Sequence, residues 1–550
     1  MAGKGKLKEI HNARIAVAGS GPAGLMAGIY AAREGAKVIV FEQKQKAASK
    51  LYATGNGRCN FTNLCMTQGV YRGGGSALAM EAVDTFDRND LLYFFQDLGL
   101  MTKHIGDYIY PYNEQASSVA AVLLAECRRL GVEIHTVERV VDIKCYEDGK
   151  ISTYGKGDIQ SAVDIKYYNA KPSSYENGDD SKIEVDINDS THNDGSMELH
   201  KGSGDTVDIK SDNVIEKPYE NKSIPIGSVD IKHSSDDEVH KNPDNSNRIV
   251  DINTSKDTKN IGNDYSKEHR QVNITTVTSD DKKHIYTFDA VIIAPGGKAS
   301  PAHGSDGNMN KIIRRLGHTI IPQEPALVPL TFSDRKLSSL AGVRIKCAVS
   351  VVIGSDDQTD KTYTEQGEII FNKDNISGIP VMQLSRYAVC EMVKGNNALI
   401  SLDLFPEYTG QEVYDHIKKA FRAWGDEKRS ASEALGLCIN QKIADHILGE
   451  DKEKKAAGFS EDRINKIAEG LKAFEIKISG NAGFSRAQVT AGGVDTKEID
   501  PDTFGSLICP GVYFAGEILD VDGTCGGYNL HFAFASGRIA GQAAAIMPLQ

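Results

Sequence analysis

The chain has 550 residues, of which 40% are hydrophobic and 25% are charged, and its formal net charge is −12. This length allows about two to four domains of ~100–200 residues, and the composition is that of a globular protein. No apolar run approaches the ~20 residues that a membrane-spanning helix needs, which excludes a membrane-spanning protein. The net acidity argues against a general nucleic-acid-binding protein.

The N-terminal segment and the cysteines bear on the cellular compartment. Residues 1–14 are basic and polar and lack the apolar core of a secretory signal, so we expect a cytoplasmic protein. The nine cysteines are odd in number and contain no Cys-x-x-Cys pair. Because disulfide frameworks and zinc sites need paired spacings, we expect mostly buried thiols and no bound metal.

The first predicted elements form a dinucleotide-binding unit. A short apolar strand, Arg14–Ala18, leads into the turn Gly19–Gly24 and a helix, and a second strand, Lys37–Phe41, ends at Glu42. The first glycine of Gly-x-Gly-x-x-Gly permits the tight turn, the second lets the backbone approach a pyrophosphate, and the third packs helix on strand. Phosphate would lie at the helix N-terminus, and Glu42 would accept hydrogen bonds from the ribose hydroxyls. The alternative is a glycine-rich turn beside a surface glutamate.

A repetitive acidic segment interrupts the next part of the chain. Residues 151–270 hold 15 Lys and Arg against 24 Asp and Glu, whereas the rest of the chain carries 48 against 51. Val-Asp-Ile-Lys or a close variant recurs every 21 or 22 residues, from residue 141 to residue 275. Because a solenoid needs a continuous apolar face, we predict a disordered or loosely β-structured surface insertion. A small solenoid or added sheet that binds an unknown partner is the alternative.

The position of this insertion predicts where it arose and what its removal does. The array begins at the strand Val141–Lys144 and ends at Val272–Thr275, so we infer that a strand unit was duplicated in place within a surface hairpin. We expect the chemistry elsewhere in the chain. Deletion of about residues 155–270 should therefore leave cofactor binding intact.

A second glycine-rich constellation stands near the C-terminus. A strand leads through Gly511–Glu517, and the glycine-rich stretch Asp522–Leu530 opens a helix over His531–Ala544. Between the two ends of the chain, residues 290–297 form a third strand that ends in a glycine turn. A pyrophosphate needs only one helix N-terminus. A second one aimed at the same ligand suits an isoalloxazine ring, whose N1/C2=O edge becomes anionic on reduction. The two ends of the chain together therefore predict FAD.

These motifs resemble those of the BaiN-like FAD-dependent flavoproteins, a family of the glutathione-reductase-like superfamily. The resemblance rests on Gly19–Gly24, on Lys50–Asn63 with its specific run Thr54–Asn60, on Thr490–Val494 and on Gly516–Gly541. Shorter matches lie between them at 325–330, 367–371 and 376–380. It covers nearly the whole chain except the repeats. The chain departs from the family at Pro295, where many relatives have threonine.

The resemblance implies the domain organisation. We expect an α/β fold in which an FAD-binding Rossmann-like domain of glutathione-reductase type carries an inserted β-barrel-like domain and a small helical domain. The strand-rich pattern before residue 404 and the three- and four-residue apolar steps after residue 411 agree with this. The expected boundaries are 1–150, 272–325 and 499–550 for the FAD-binding domain, 151–271 for the insertion, 326–408 and 472–498 for the barrel-like substrate domain, and 409–471 for the helical insert.

The resemblance and the glycine motifs together predict the cofactor contacts. Most of the predicted contact residues come from the two ends of the chain, and a few come from its middle. An acid at Glu517 would hold the ribityl or diphosphate region. The predicted contacts are Gly19, Ser20, Gly21, Pro22, Ala23, Gly24, Glu42, Gln43, Lys50, Leu51, Arg58, Cys59, Asn60, Val140, Ala294, Gly296, Gly516, Glu517, Gly527, Asn529 and Leu530.

The predicted cofactor indicates the chemistry. Only one complete dinucleotide unit is present, so NAD(P)H would dock transiently against the flavin or be replaced by another donor. We hypothesise an FAD-dependent oxidoreductase that uses NAD(P)H to reduce a C=C bond conjugated to a carbonyl in a small molecule. The resemblance suggests a 3-oxo-Δ4,6 bile acid, within 7-dehydroxylation, as substrate. A flavin oxidase of a small amine and a flavoprotein of nucleic-acid modification are the alternatives; the near-neutral charge outside the insertion counts against the second.

Three polar residues of the flavin-adjacent motifs are candidate catalytic groups, namely Tyr528, Cys525 and Arg58. Each has a structural alternative: the tyrosine can pack against the cofactor instead of acting as an acid. Cys525 and Cys59 could form a redox pair, although no Cys-x-x-Cys spacing supports it. His531, one turn into its helix, is expected to be buried.

Overall fold

The structure is a computed structural model that describes residues 13–147, 150–151, 270–355, 358–422 and 429–546. Residues 152–269 hold all but the ends of the repetitive insertion and lie outside the described part, so the predicted character of the insertion stays a prediction. Within the described ranges, no helix is both long and apolar enough to cross a membrane.

The described residues form strands and helices that are numbered here in chain order. The strands are β1 Arg14–Ala18, β2 Lys37–Glu42, β3 Thr62–Asn63, β4 Tyr71–Arg72, β5 Thr102–Ile105, β6 Tyr108–Pro111, β7 Glu133–Thr136, β8 Glu138–Glu147, β9 Lys150–Ile151, β10 Arg270–Thr278, β11 Lys283–Phe288, β12 Ala290–Ile293, β13 Glu324–Ala326, β14 Leu330–Thr331, β15 Arg344–Ser355, β16 Gln358–Phe371, β17 Asn375–Ser377, β18 Asn397–Asp403, β19 Phe474–Lys477, β20 Gly480–Asn481, β21 Val489–Ala491, β22 Val512–Phe514 and β23 Asp522–Gly523. The α-helices are α1 Pro22–Arg33, α2 Ser49–Ala53, α3 Ser76–Thr85, α4 Arg88–Asp97, α5 Ala116–Arg129, α6 Asn310–Arg315, α7 Ile379–Val393, α8 Gly410–Arg422, α9 Ala431–Leu435, α10 Gln441–Leu448, α11 Glu461–Lys472 and α12 Tyr528–Ile546.

The first layer is a five-stranded parallel sheet in the order β22-β12-β1-β2-β7. Strands β1, β12 and β22 are short and almost fully buried, as expected for a parallel sheet that is covered on both faces, whereas the edge strand β7 has no buried residue. Helix α12 packs closely on α1, and glycines at the contact allow it. A Cβ at Gly537 or Gly541 would lie 2.3 Å from a carbonyl oxygen of α1. The N-terminal and C-terminal segments thus share one core. The predicted α/β class with a Rossmann-like sheet is confirmed.

A four-stranded antiparallel sheet, β11-β10-β8-β9, flanks this layer and carries both ends of the insertion. The first tetrad of the repeat array lies on β8 and the last lies on β10. The two strands pair, with Ile143 opposite Ile274, and both side chains are buried. The first and last tetrads are therefore neighbouring strands of one sheet, as the sequence predicts for a hairpin that has grown in place.

The middle of the chain forms a second core. Seven strands pair in the order β19-β18-β15-β16-β17-β14-β20, helix α7 packs against β15 and β16, and helices α8 to α11 lie in sequence between β18 and β19. The buried apolar residues of this part form one cluster, and those of the parallel sheet and its helices form another. A two-stranded ladder of β13 and β21 takes the chain out of the first core and back into it.

Candidate active-site cavity

A cavity of about 730 Å³ lies where the two cores meet. Ligand sites in proteins span ~300–1,000 Å³, so it is large enough for a cofactor or a substrate. It is lined by the β1–α1 turn, the end of β2, the loop after β12, the start of α7, the loop before β21 and the glycine turn before α12. All predicted cofactor contacts and catalytic candidates line it except Gly24, Cys59, Gly516 and Tyr528.

The β1–α1 turn exposes the first N–H groups of α1 to the cavity. Gly19 has φ +108°, and a Cβ there would lie 2.4 Å from the Ala294 carbonyl oxygen, so only glycine fits. A Cβ at Gly24 would lie 1.9 Å from the Gly19 oxygen, whereas a Cβ at Gly21 would meet no atom within 4 Å. Gly21 is the N-cap of α1 and supplies no side-chain acceptor, which leaves the helix start available to an anion.

The carboxylate of Glu42 is held at the end of β2 by backbone donors. The Ser20 N–H donates to its Oε2 at 3.2 Å, and the Lys44 N–H donates to its Oε1 at 2.8 Å. The Ser20 hydroxyl also donates to Oε2. Oε1 accepts from one donor and has capacity for a further one, so Glu42 lines the cavity as an oriented acceptor.

The later part of the loop after β12, residues 300–309, closes the cavity near Glu42 and was not predicted as part of the site, although Ala294 and Gly296 at its start were. The Gln43 side chain donates to the Gly304 carbonyl at 2.5 Å and accepts from the Asn308 amide at 3.2 Å. His303 on the same loop lines the cavity, and its buried Nδ1 atom has no hydrogen-bond partner among the described residues. An orphaned polar atom at this place is consistent with a ligand that completes its hydrogen bonding.

Lys50 and Glu517 meet across the cavity wall although 467 residues separate them. The Lys50 ammonium forms an ion pair with Glu517 Oε2, and the Thr490 N–H donates to Glu517 Oε1 at 2.8 Å. The sequence predicts that each of these side chains contacts the cofactor. In the structure they also hold each other, which ties α2 to the turn that follows β22.

Side-chain amides fix the glycine turn that precedes α12. Asn529 accepts from the Gly523 N–H at 2.7 Å and donates to the Gly523 carbonyl at 2.8 Å. The Asn60 amide, oriented so that both of its ends are satisfied, accepts from the Gly527 N–H at 3.2 Å. Gly527 has φ +90°, and a Cβ there would lie 2.7 Å from the Thr62 nitrogen. The turn therefore reaches the cavity in one defined shape.

The four predicted residues outside the cavity have structural contacts instead. Gly24 packs under the Gly19 turn, and Gly516 donates its N–H to Ser536 at 3.0 Å. Cys59 is fully buried, which raises the pKa of its thiol to about 12. The Tyr528 hydroxyl donates to the Cys65 carbonyl at 2.8 Å. Because this hydroxyl is engaged and Tyr528 does not line the cavity, its position supports neither the catalytic role nor the cofactor-packing alternative.

The other two catalytic candidates do line the cavity. Arg58 forms an ion pair with Glu114 and lies 4.8 Å from the centre of the Tyr110 ring. Burial raises the pKa of the Cys525 thiol to about 11, so it is protonated at neutral pH. All nine cysteines are free, which leaves the predicted redox pair of Cys59 and Cys525 without a bond in this structure.

The wall opposite the dinucleotide motifs belongs to the second core and is largely apolar. Leu327, Ile379 and Met382 line it, and Ile379 is 50% exposed. The loop 485–489 adds the side chains of Arg486 and Gln488. Sequence reasoning assigned no role to these positions, although two of the shorter family matches, Pro325–Leu330 and Ile376–Pro380, contain Leu327 and Ile379. Their side chains reach the cavity only through the fold.

Comparison with known proteins identifies the family to which this architecture belongs. The model of the HI0933-like protein Rossmann domain matches residues 13–164 and 227–543. The chain belongs to the HI0933-like family. The predicted family resemblance is confirmed, and the family and the cavity together support an FAD-binding oxidoreductase.

Three individual proteins illustrate the similarity of this HI0933-like chain to others. It is 29% identical over 97% of its length to the 3-dehydro-bile acid delta(4,6)-reductase of Clostridium scindens, which it covers completely. It is 28% identical to the ribosomal RNA dihydrouridine synthase of Haemophilus influenzae over 45% of this chain, and it spans only 58% of that protein. The 3-ketosteroid-delta4-(5alpha)-dehydrogenase of Rhodococcus jostii RHA1 is similar at 12% identity over 97% of this chain and 96% of that one, with a TM-score of 0.38, which is too low to bear on activity.

Proposed function

We propose that this protein is an FAD-dependent oxidoreductase that saturates a C=C bond conjugated to a carbonyl, with NAD(P)H as electron donor. The observation that carries the proposal is the shared cavity, since glycine turns from the two ends of the chain line one space large enough for a dinucleotide. The open position at Gly21, the uncapped start of α1 and the oriented carboxylate of Glu42 suit the phosphates and ribose of FAD.

The names of two relatives support the same bond change. A delta(4,6)-reductase and a dihydrouridine synthase act on different molecules. Both names nevertheless describe the addition of two hydrogens across a C=C bond that is conjugated to a carbonyl. The class of reaction is therefore better supported than the substrate.

The residues of this chain would bind and orient the cofactor and would exclude water from its surroundings. The backbone N–H groups at the start of α1 would hold the pyrophosphate, and Glu42 would accept from the ribose. Lys50 and Glu517 would hold the middle of the cofactor, and the turn at Gly527 would approach its ring. The bound flavin would supply hydride transfer from the nicotinamide to an electrophilic carbon.

The substrate would lie against the apolar wall of the second core. Leu327, Ile379 and Met382 offer a surface for an apolar ring system, and Ile379 is half-exposed in the cavity. We propose a 3-oxo-Δ4,6 bile acid or a related steroid dienone as substrate, on the strength of the Clostridium scindens relative. Cys525 and Arg58 remain candidate catalytic groups, as a protonated thiol and as a cation that polarises a carbonyl.

The domain division expected from the sequence is part of this proposal. The dinucleotide-binding segments would hold the cofactor, and residues 326–408 and 472–498 would select the substrate. Because only one dinucleotide unit is present, NAD(P)H would dock transiently and leave before the substrate enters.

Anaerobic mixing tests the proposed function. The purified protein should be yellow, and NADH or NADPH should bleach the oxidised flavin band. Addition of a steroid 4,6-dien-3-one should restore the band and yield a product two hydrogens heavier by mass spectrometry. A preparation that stays colourless with added FAD would contradict cofactor binding. Reduction by a small amine and reoxidation only by air would favour the oxidase alternative instead.

Modification of ribosomal RNA is the second candidate function, favoured by the similarity to the Haemophilus influenzae synthase. The partial coverage of that protein and the apolar wall of the cavity make it the weaker one. Nucleoside analysis of ribosomal RNA from cells with and without the gene separates the two. Loss of dihydrouridine in the deletion strain, restored by the gene, would replace the small-molecule assignment and overturn the expected absence of a nucleic-acid partner.

A further inference from the structure

Strand β6 brings two tyrosines into the cavity that the sequence motifs did not single out. Tyr108 and Tyr110 alternate with the buried Ile109, so they share one face of the strand, and both line the cavity. Neither hydroxyl has a hydrogen-bond partner among the described residues. They differ in their neighbours, because Tyr110 stacks with the Arg58 guanidinium at 4.8 Å.

Tyr108 is anchored at the C-terminal glycine turn. In the β3–β6 ladder it stands opposite Asn63, and the Asn63 amide donates to the Gly526 carbonyl at 3.0 Å. The Leu64 N–H donates to the Asp107 carbonyl at 2.8 Å, which continues the same pairing. Cys525, in the same turn, lines the cavity together with Tyr108. The phenol is thus held beside the turn that would approach the flavin ring.

The other phenols near this turn are already engaged. The Tyr71 hydroxyl donates to the Tyr528 carbonyl at 2.9 Å, and the Tyr528 hydroxyl donates to the Cys65 carbonyl at 2.8 Å. Burial raises the pKa of Tyr108, and Cys525 and nearby acidic groups raise it further, so its hydroxyl keeps its proton at neutral pH. Tyr108 is therefore a protonated group with a free hydroxyl on the cavity face.

We propose that Tyr108 is the proton donor of the reaction. This inference rests on the proposed function. Hydride addition to the β-carbon forms a C–H bond, breaks the C=C π bond and moves the electron pair to the carbonyl as an enolate. The Tyr108 hydroxyl then gives its proton to the α-carbon, and solvent water returns a proton to the phenolate. Two electrons and one hydrogen thus come from the reduced cofactor, and the second hydrogen comes from Tyr108.

A pair of acceptors separates proton donation from hydride transfer. The FAD-loaded protein is reduced anaerobically with dithionite and mixed with a steroid dienone or with 1-nitrocyclohexene. A nitroalkene that accepts hydride becomes a nitronate, an anion that is stable without protonation. Flavin reoxidation and product release are followed for the wild type, for Tyr108→Phe and for the matched control Tyr110→Phe, after bound FAD and thermal unfolding have been compared.

Tyr108→Phe should lower the rate of dienone reduction by about 10²–10⁴-fold. The rate at which the nitroalkene reoxidises the flavin of this variant should stay within about twofold of the wild-type rate, and nitronate should accumulate in solution. Tyr110→Phe removes only the hydroxyl and keeps the ring that stacks on Arg58, so its loss of rate should be below about tenfold and equal with the two acceptors. Tyr108→His places an imidazole, another side chain that can donate a proton, at the same position. It should recover part of the rate of dienone reduction that Tyr108→Phe loses.

Three outcomes would overturn the inference. Unchanged dienone reduction in Tyr108→Phe would exclude Tyr108 as the donor, and an equal loss with both acceptors would assign it a structural role. A loss of dienone reduction in Tyr110→Phe alone would move the role to that residue. Failure of the wild-type protein with both acceptors, despite bound and reducible FAD, would instead overturn the proposed function itself. If Tyr108→Phe does not retain FAD, the same comparison of acceptors is made with Tyr108→His, and an equal loss with both acceptors again assigns Tyr108 a structural role.

Discussion

Gly21 and Gly24 belong to one motif but meet different surroundings. Gly24 faces the Gly19 carbonyl, and a Cβ there would collide with backbone at 1.9 Å. Gly21 has φ −70°, which any residue adopts, and its Cβ position is open toward the cavity. Gly24 is therefore required by the fold, whereas the position at Gly21 is open toward the cavity, in agreement with the different roles that the motif predicts for these two glycines.

Alanine substitutions at these two positions should separate cofactor binding from folding. Gly21→Ala should keep its free energy of unfolding, measured on the apoprotein, within about 1 kcal/mol of the wild type. It should bind FAD at least ~10-fold more weakly, because the methyl group occupies the space of the pyrophosphate. Gly24→Ala should lose about 1–3 kcal/mol or more of stability. Equal FAD affinity for Gly21→Ala and the wild type, in fluorescence titrations, would argue against this assignment.

His531 is a residue whose pKa is changed by burial. Its ring is buried, Nδ1 bonds with the Thr62 hydroxyl at 2.8 Å, and Nε2 bonds with the Phe86 carbonyl at 2.9 Å. Desolvation lowers the pKa of His531 to about 4, from an ordinary value of 6.5. The neutral ring is therefore part of the folded state, as the expectation of a buried histidine requires.

This lowered pKa predicts a loss of stability in acid. The unfolded chain binds a proton at His531 below pH 6.5, whereas the folded chain does so only near pH 4, so the stabilising contribution is full above pH 6.5 and is lost as the pH falls to about 4. The stability gap between the wild type and His531→Asn should narrow over that interval by at most about 3 kcal/mol. Urea unfolding at several pH values measures the gap, and a gap that does not change with pH would refute the prediction.

At the scale of elements, the turn before α12 depends on side chains outside it. Asn529 holds both backbone polar groups of Gly523, and Asn60 holds the N–H of Gly527. The sequence motif identifies the glycines and these asparagines as cofactor contacts. The structure shows that the asparagines also shape the turn, so their loss has two effects.

Removal of the Asn529 amide should loosen this turn. Asn529→Ala loses two hydrogen bonds to Gly523, and we expect the apoprotein to lose about 1–3 kcal/mol of stability. FAD affinity should fall in the same variant because Cys525–Gly527 no longer have a fixed shape. Asn529→Asp keeps the acceptor and loses the donor, and it should lie between the two. Unchanged FAD affinity in Asn529→Ala, by equilibrium dialysis, would show that the turn keeps its shape without the side chain.

At the scale of the whole molecule, β8 before the insertion and β10 after it are neighbours in one sheet, and the short strand β9 pairs with the other edge of β8. Glu147 of β8 stands directly opposite Arg270 of β10 in the antiparallel register. The two chain ends are therefore one strand spacing apart, ~4.8 Å. A two-residue turn is enough to join them, since antiparallel strands close with a tight hairpin.

Replacement of residues 148–269 by Asn-Gly should give a folded, yellow protein. The full chain is the control, and both proteins should bind FAD with affinities within about threefold, because no predicted contact lies in the removed segment. The thermal unfolding and FAD content of the purified proteins are the measurements. A shortened protein that folds but does not hold FAD would show that the repeats contribute to the cofactor site.

The sequence by itself determined the dinucleotide unit, the α/β class, the family and the return of the C-terminal segment to the N-terminal one. The dinucleotide unit and the return of the C-terminal segment follow from local patterns, namely apolar strands, glycines that only certain turns require, and helix periodicity. The family and the fold class follow from the resemblance of these motifs to known flavoproteins. Only the tertiary structure decided that Tyr528 is turned toward the Cys65 carbonyl, that Tyr108 faces the cavity, and that the loop at His303 closes it. The physical reason is that a side chain's direction into a shared space depends on strand pairing between residues far apart in sequence, such as Asn63 with Tyr108, and no local pattern records it.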